Sequence, residues 1–251
     1  MHIGQLQAVS NGWVPSFELR DIELRDAQGH TALRLPQVWV AVSVRSLLRL
    51  QLEQLALDRP DLDVRRDSTG QWTVAGLKLG PDDGQASPMA DWLFSQKEIV
   101  VRGGTLHWTH EADPASAETS TTTLDLTNVD VVIRNALRSH KLRVDATPPA
   151  AWGQRFALMA QMSSPLLSVH PGQLQDWSGQ VFAEFAHVDV AQLSTHLRPF
   201  TPGMKIEQGE GRLRLWTDLA KGRWTGGHTQ LQLQHLRMQL GAQLPLSLIH
   251  I

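Results

Sequence analysis

Hydrophobic residues occupy every second position over most of this chain. Val38, Val40, Val42 and Val44, for example, alternate with mostly polar or small residues. Runs of the same period continue at 17–24, 50–64, 99–108, 124–133, 142–146, 156–162, 181–185, 213–215 and 231–240. Successive side chains of a β-strand point to opposite faces, so this period indicates strands. The pattern predicts an all-β protein with a few short helices.

Short turn-forming segments separate these runs. Asp67-Ser68-Thr69-Gly70, Gly103-Gly104 and Lys221-Gly222 each supply residues that accept a positive φ. Strands that recur about every 8–12 residues with such turns indicate a mostly antiparallel architecture, here of roughly fifteen strands. Three short helices are predicted: one at 43–50 with Ser43 as its cap, one that begins at Ser87-Pro88, and one at 189–197 with Val190, Leu193 and Leu197 at helical spacing. All three are expected to cover ends of the sheet.

Many of the predicted strands have one apolar face and one face rich in Gln, Thr, Arg and Asp. This division is typical of a long, curved antiparallel sheet with one wet side. The period breaks between Leu19 and Ile22 and again between Leu52 and Leu55, which predicts a bulge or a tight corner at each place. If the sheet curls on itself, its apolar faces either meet as a core or line a groove.

Alternation alone selects the side chains expected on the inner, apolar face. They would act as bulk lining, so no single one should be essential. The candidates are Val38, Val40, Val42, Leu55, Leu57, Leu62, Val64, Leu142 and Val144. An aspartate at Val42 should leave the fold intact if the face is an open groove, because the carboxylate could then reach water.

Composition and charge exclude several classes of protein. The 251 residues include 23 Lys and Arg against 25 Asp and Glu, and 41% are hydrophobic. This balance excludes a disordered tail, and it offers no excess positive charge for binding nucleic acid. With no cysteine, disulfides and thiolate sites are excluded.

The chain is expected to be one segment, 1–245, of a larger domain. It opens directly in a strand pattern, and it contains no run of about 20 apolar residues that could span a membrane. Residues 246–251 match the translation of a common sequencing adaptor, so we expect this tail to be an artefact and dispensable for stability. The alternative is a natural apolar terminal strand.

No catalytic constellation emerges from the sequence. His107, His110, Glu111 and Asp113 contain possible metal ligands, but a strand that leads into a polar loop explains them better. Asp61 and Asp63 would share a strand face, where solvation is the simpler explanation than acid–base chemistry. We therefore expect no enzyme activity, no metal and no cofactor.

Nine Trp residues occur in a chain without Tyr. A Trp ring can cap the end of an apolar sheet face, and it can also mark a boundary between apolar and wet surroundings, such as those around lipid. Both interpretations remain open from the sequence alone.

Several local phrases together resemble the AsmA-like superfamily, in particular its YhdP branch, with TamB a more distant relative. The resemblance is clearest at LDRPDLDVRRD (57–67) and GQWTVAGL (70–77). Other matching phrases lie at 13–24, 33–36, 46–48, 91–93, 104–108, 138–140, 148–149, 177–184 and 209–216. Each is weak alone, but their order and spacing cover about residues 12–244.

The resemblance implies a periplasmic protein of the Gram-negative envelope, anchored in the inner membrane by a helix that this sequence lacks. It implies a repeating β-groove whose apolar interior conducts phospholipids toward the outer membrane. The expected partners are then phospholipid acyl chains and components of both membranes. The alternative is a non-conducting assembly or scaffold protein whose sheet interior is filled by its own side chains.

Overall fold

A computed structural model of the chain describes most of its residues. The described residues are 2–11, 14–25, 31–43, 46, 48, 51–68, 72–75, 77–79, 88–111, 122–165, 170–189 and 204–240. The predicted adaptor tail at 246–251 lies outside them.

Fourteen β-strands and one α-helix make up the described regular structure, together with a single 3₁₀ turn at Leu174–Asp176. The strands are His2–Asn11 (β1), Val14–Arg25 (β2), Thr31–Ala41 (β3), Gln54–Asp58 (β4), Asp61–Arg66 (β5), Trp72–Val74 (β6), Leu77–Leu79 (β7), Glu98–His110 (β8), Thr122–Asn135 (β9), Ser139–Thr147 (β10), Phe156–Ser163 (β11), Ser178–Asp189 (β12), Met204–Ala220 (β13) and Arg223–Leu240 (β14). The helix is Pro88–Ser95 (α1), which begins at the proline that the sequence predicted.

All fourteen strands belong to one sheet. From β1 to β3 and from β8 to β14, neighbours in the chain pair antiparallel as a meander. The one crossover runs from β7 through α1 to β8, which pairs parallel with both β4 and β5. The all-β, mostly antiparallel prediction is therefore confirmed, with a parallel step between the two meanders.

Strands β4 and β5 act as one long strand with a kink. Both pair with β3 on one side and with β8 on the other, and the offset to β8 is the same before and after the kink. Arg59, at the kink, has a φ of 48°, and Gly103 opposite it in β8 has a φ of 58°. Gly103-Gly104 thus lies inside a strand, and the prediction of a turn there was wrong.

The kink continues into the neighbouring strands as a crease across the sheet. Asp21 in β2 and Asn128 in β9 also have positive φ values, 53° and 48°, at the matching positions. Between β8 and β9 the register shifts on each side of Gly104, which is the mark of a bulge. β2 keeps one register with β1 and β3 from Leu19 to Ile22, so the break predicted there is a corner at Asp21 and not a bulge. Leu52 precedes β4, so the break predicted after it marks the entry to that strand instead.

We expect Gly103→Ala to cost about 1 kcal/mol of stability. The added Cβ would meet only Arg59 Cγ at 3.6 Å, so the cost arises from the left-handed backbone. Gly226→Ala is the matched control, because its Cβ has ordinary space and no positive φ is recorded there. Urea denaturation of both variants measures the difference, and equal midpoints would contradict a strained crease.

The segment after β3 contains the helical turn that was predicted at 43–50. Ser46 and Leu48 are helical, and the Ser46 backbone N–H donates to Ser43 Oγ at 3.1 Å. Ser43 therefore caps this turn as predicted. Several residues of 43–50 lie outside the described part of the chain. So do 190–197 of the third predicted helix, whose first residue, Asp189, ends β12.

The sheet is open rather than wrapped around a sealed core. Ten of the described hydrophobic side chains are buried, and most of the others on the strands are only half-buried. No second layer of strands covers the described sheet.

Candidate functional site

Strand register builds two continuous rows of hydrophobic side chains on one face of the sheet, which we call the apolar face. Cross-strand partners share a face, so each row runs perpendicular to the strands. The first row is Val38, Leu57, Val101, Val131, Val144, Leu158, Ala183 and Leu215. The second row is Val40, Leu55, Ile99, Ile133, Leu142, Ala160 and Val181, and it ends at Thr217.

Six of the nine predicted lining residues lie in these two rows. Val38 and Leu57 are direct partners, as are Val40 and Leu55. The β10 residues Leu142 and Val144 belong to the same two rows, three strands beyond β4. Their membership follows from register alone, which the sequence does not contain.

Leu62 and Val64 lie on the far side of the crease. Leu62 pairs with Leu106 and also with Leu33, while Val64 pairs with Trp108. Along β5 these two side chains are half-buried, whereas the alternating Asp61, Asp63 and Arg65 are exposed. A third and a fourth apolar row therefore continue the apolar face past the bend.

Val42 differs from the other candidates. It follows the end of β3, is only 7% exposed, and donates its backbone N–H to the Pro15 carbonyl at 3.0 Å. A carboxylate at this position would be sealed away from water, so Val42→Asp should destabilise the fold. The half-buried Val144 is the better position for separating folding from function.

An aromatic cluster covers one end of the apolar face. Phe94 of α1 packs edge-on against Trp177 at 4.8 Å between ring centroids, and His140 stacks on Trp177 at 4.0 Å. Trp177 is 5% exposed. This ring confirms the structural interpretation of the Trp residues at one position, whereas Trp224 at 68% and Trp92 at 43% are exposed.

A hydrogen-bonded network holds this cluster in place. His140 Nδ1 lies 2.8 Å from Asn135 Oδ1, and the Asn135 amide donates to the carbonyl of Gln96. The Gln96 side chain is fully buried and accepts the Leu52 backbone N–H at 2.7 Å. Burial lowers the pKa of His140, so the ring is neutral at neutral pH.

The opposite face carries most of the charge. Arg134 pairs with Glu98 at 2.7 Å, and the pKa of Glu98 is lowered first by this contact and then by the Gln54 amide. Arg155 pairs with Asp130 at 2.6 Å, and Arg214 with Glu184 at 2.8 Å. Exposed pairs of this kind contribute little stability each, but they keep this face wetted.

His107 lies on the same charged face between two carboxylates from neighbouring strands. Its Nδ1 is 2.7 Å from Asp125 and its Nε2 is 3.0 Å from Asp61. The hydrogen bond that His107 donates to Asp125 is the main cause of its raised pKa, and the charges of Asp61 and Asp63 add to it. Among the described residues no group of three or more acidic or His side chains is arranged to hold a metal ion.

We expect His107 to stabilise the sheet more in acid than in alkali. A raised pKa in the folded state means that the stabilisation is complete below the ordinary value near 6.5 and is lost as pH rises through the raised value. Melting of the wild type and of His107→Gln at pH 5.5 and 8.5 measures this, with the larger gap expected at pH 5.5.

Asp125→Asn serves as the partner test for this prediction. It should remove the same pH dependence, and combining it with His107→Gln should add little, because both changes break one interaction. A gap that widens toward pH 8.5 would contradict the assignment.

The charged face also carries an apolar patch that alternation did not predict. Met159, Phe182 and Trp216 are cross-strand neighbours there, and the rings of Phe182 and Trp216 are 5.1 Å apart. A concavity of about 650 Å³ lies beside them. This face was expected to be uniformly polar, and between β11 and β13 it is not. The signal was present as hydrophobic residues in both phases of these strands.

The sequence of this chain matches a known protein family. The model of the YhdP protein family matches residues 1–251, which is the whole chain. This chain belongs to the YhdP family. No curated protein and no solved structure matches this chain.

YhdP proteins are AsmA-like proteins of the cell envelope. The family predicted from the local phrases is therefore confirmed, as is the all-β fold that the resemblance implied. None of the described helices is both long enough and apolar enough to cross a membrane.

Proposed function

We propose that this YhdP chain is a segment of a periplasmic conduit that moves phospholipids toward the outer membrane. The acyl chains travel along the apolar face, across the strands, while headgroups stay at the open, wet edge. The proposal includes an inner-membrane anchor elsewhere in the protein and membrane components at both ends as partners. The observation that carries it is the pair of uninterrupted apolar rows on one face of an open sheet.

The length of these rows suits an acyl chain. Eight strands at a spacing of ~4.8 Å give a row of roughly 34 Å, about twice the ~15 Å of hydrocarbon in one bilayer leaflet. A chain that enters at one end is in contact with hydrocarbon at each step. Exposing a single methylene to water costs about 0.8 kcal/mol, so an unbroken surface removes a large barrier.

The openness of the sheet supports conduction over a scaffold whose interior is filled by its own side chains. Leu57, Val144 and Leu158 are half-buried, so their side chains are still accessible on the apolar face. Val38 at 4% and Ile99 at 3% are packed more tightly, which supports the scaffold alternative locally. The two functions therefore make different predictions for the half-buried positions.

Photo-crosslinking in the full-length protein in cells separates them. A benzophenone side chain at Leu57 or Val144 should capture phospholipid, detected by mass spectrometry of the purified product. The matched controls are Arg65, on the exposed side of β5, and Gln161, on the charged face of β11. These probes face water and should capture none.

Two results would overturn the conduit. Phospholipid captured equally at all four positions would indicate non-specific membrane contact. No capture at Leu57 and Val144, with the protein folded and present at normal levels, would favour the scaffold.

A further inference from the structure

A second concavity of about 650 Å³ opens on the apolar face beside the aromatic cluster. Its floor is hydrocarbon from the second row, including Ile133, Leu142 and Ala160. Phe94 and Trp177 form a wall at one side. An acyl chain that follows the second row would therefore reach this concavity without leaving an apolar surface.

The rim of this concavity carries charge of one sign. Lys221 and Arg223 line it, and no carboxylate does. Both side chains are exposed, and the structure gives neither of them an ion-pair partner among the residues it describes. The concavity on the charged face is different, since Asp218 lines it and its Arg134 and Arg143 already pair with carboxylates.

A tight turn holds the backbone of both cations in place. Lys221 and Gly222, with φ values of 50° and 66°, connect β13 to β14. The Lys221 N–H donates to Ser178 Oγ at 3.0 Å, and the Gly222 N–H donates to the Trp177 carbonyl at 2.8 Å. A Cβ on Gly222 would lie 2.6 Å from Gln175 Cα, so the turn packs directly against the 3₁₀ turn.

We infer that this concavity binds a phospholipid whose headgroup carries a net negative charge, with phosphate oxygens at Lys221 and Arg223. The inference rests on the proposed conduit and names the lipid class that pauses in it. Ammonium and guanidinium groups donate charge-assisted hydrogen bonds to phosphate, and no carboxylate lines the concavity. A zwitterionic headgroup would bring its own cation toward two others, so it is disfavoured.

The test titrates full-length protein with water-soluble, short-chain phosphatidylglycerol and, separately, with short-chain phosphatidylcholine. The wild type should bind phosphatidylglycerol at least about tenfold more tightly. The double variant Lys221→Gln/Arg223→Gln should lose this preference and keep its affinity for phosphatidylcholine. Both changes are on exposed side chains, so the fold should survive; far-ultraviolet circular dichroism checks this.

The control double variant is Arg65→Gln/Arg212→Gln, which removes the same charge from exposed positions away from the concavity. It should keep the wild-type preference. A loss of preference in this control as well would indicate a general charge effect and overturn the site. Inorganic phosphate alone provides a further arm: if it displaces phosphatidylglycerol as effectively as the lipid itself does, the site binds free phosphate and the inference fails.

The outcomes separate the two proposals. Equal binding of both lipids by the wild type overturns the headgroup site and leaves conduction standing. Failure of both lipids to bind, together with no crosslinked lipid at Leu57 and Val144, overturns conduction as well.

Discussion

Replacing Val144 with Asp in the full-length protein is expected to reduce phospholipid movement at least about tenfold while the protein stays folded. Val144 is half-buried in the middle of the first row, between Val131 and Leu158. A carboxylate there can turn toward water at the open face, so it should not unfold the sheet. A passing acyl chain must still cross it, and about 1.4 kcal/mol of added barrier already gives a tenfold loss of rate.

Two matched variants make this result specific. Val144→Thr keeps the shape of the side chain with a hydroxyl in place of a methyl, and it should have a much smaller effect. Gln161→Asp adds the same charge to the other face of the adjacent strand and should leave lipid movement unchanged. Transfer of labelled lipid between membranes measures all three, with melting temperatures as the folding check. A folded Val144→Asp protein with normal transfer would contradict the conduit.

Replacing Trp177 with Ala is expected to have the largest effect on stability. Its ring is 5% exposed and packs against both Phe94 and His140, so removal leaves a cavity between α1 and the sheet. The expected cost is about 3–5 kcal/mol, as for other buried aromatic rings. The melting temperature should fall by roughly 6–20 °C in a chain of this size. Differential scanning calorimetry measures the shift.

Trp177→Phe and Trp92→Ala are the controls for this prediction. The indole N–H of Trp177 has no hydrogen-bond partner among the described residues. Phenylalanine keeps an aromatic ring at this position and has no donor to leave unsatisfied. Trp92 lies on α1 beside Phe94 in sequence and is 43% exposed, so its removal should cost little stability. A melting temperature for Trp177→Ala within a degree of the wild type would mean that the aromatic cluster does not close the end of the face.

Much of the fold could be predicted because alternation is a local property. The side chains of Leu55 and Leu57 point to one side of a strand whatever strand lies beside it, so the apolar face was identifiable residue by residue. The positive φ at Gly222 was likewise predictable from residue type, because glycine adopts the left-handed region freely. Gly103-Gly104 was misassigned because a bulge and a turn require the same backbone freedom, and only pairing with neighbouring strands distinguishes them.

The sequence by itself therefore determined the strands, their apolar sides and the family to which the chain belongs. Tertiary structure alone decided which strands are neighbours, and hence that Val38, Leu57 and Val144 lie in a single row. It also brought His107 between Asp61 and Asp125, and placed Lys221 and Arg223 at the mouth of an apolar concavity. The physical reason is that register is fixed by hydrogen bonds between segments far apart in the chain, whereas alternation is fixed within each segment.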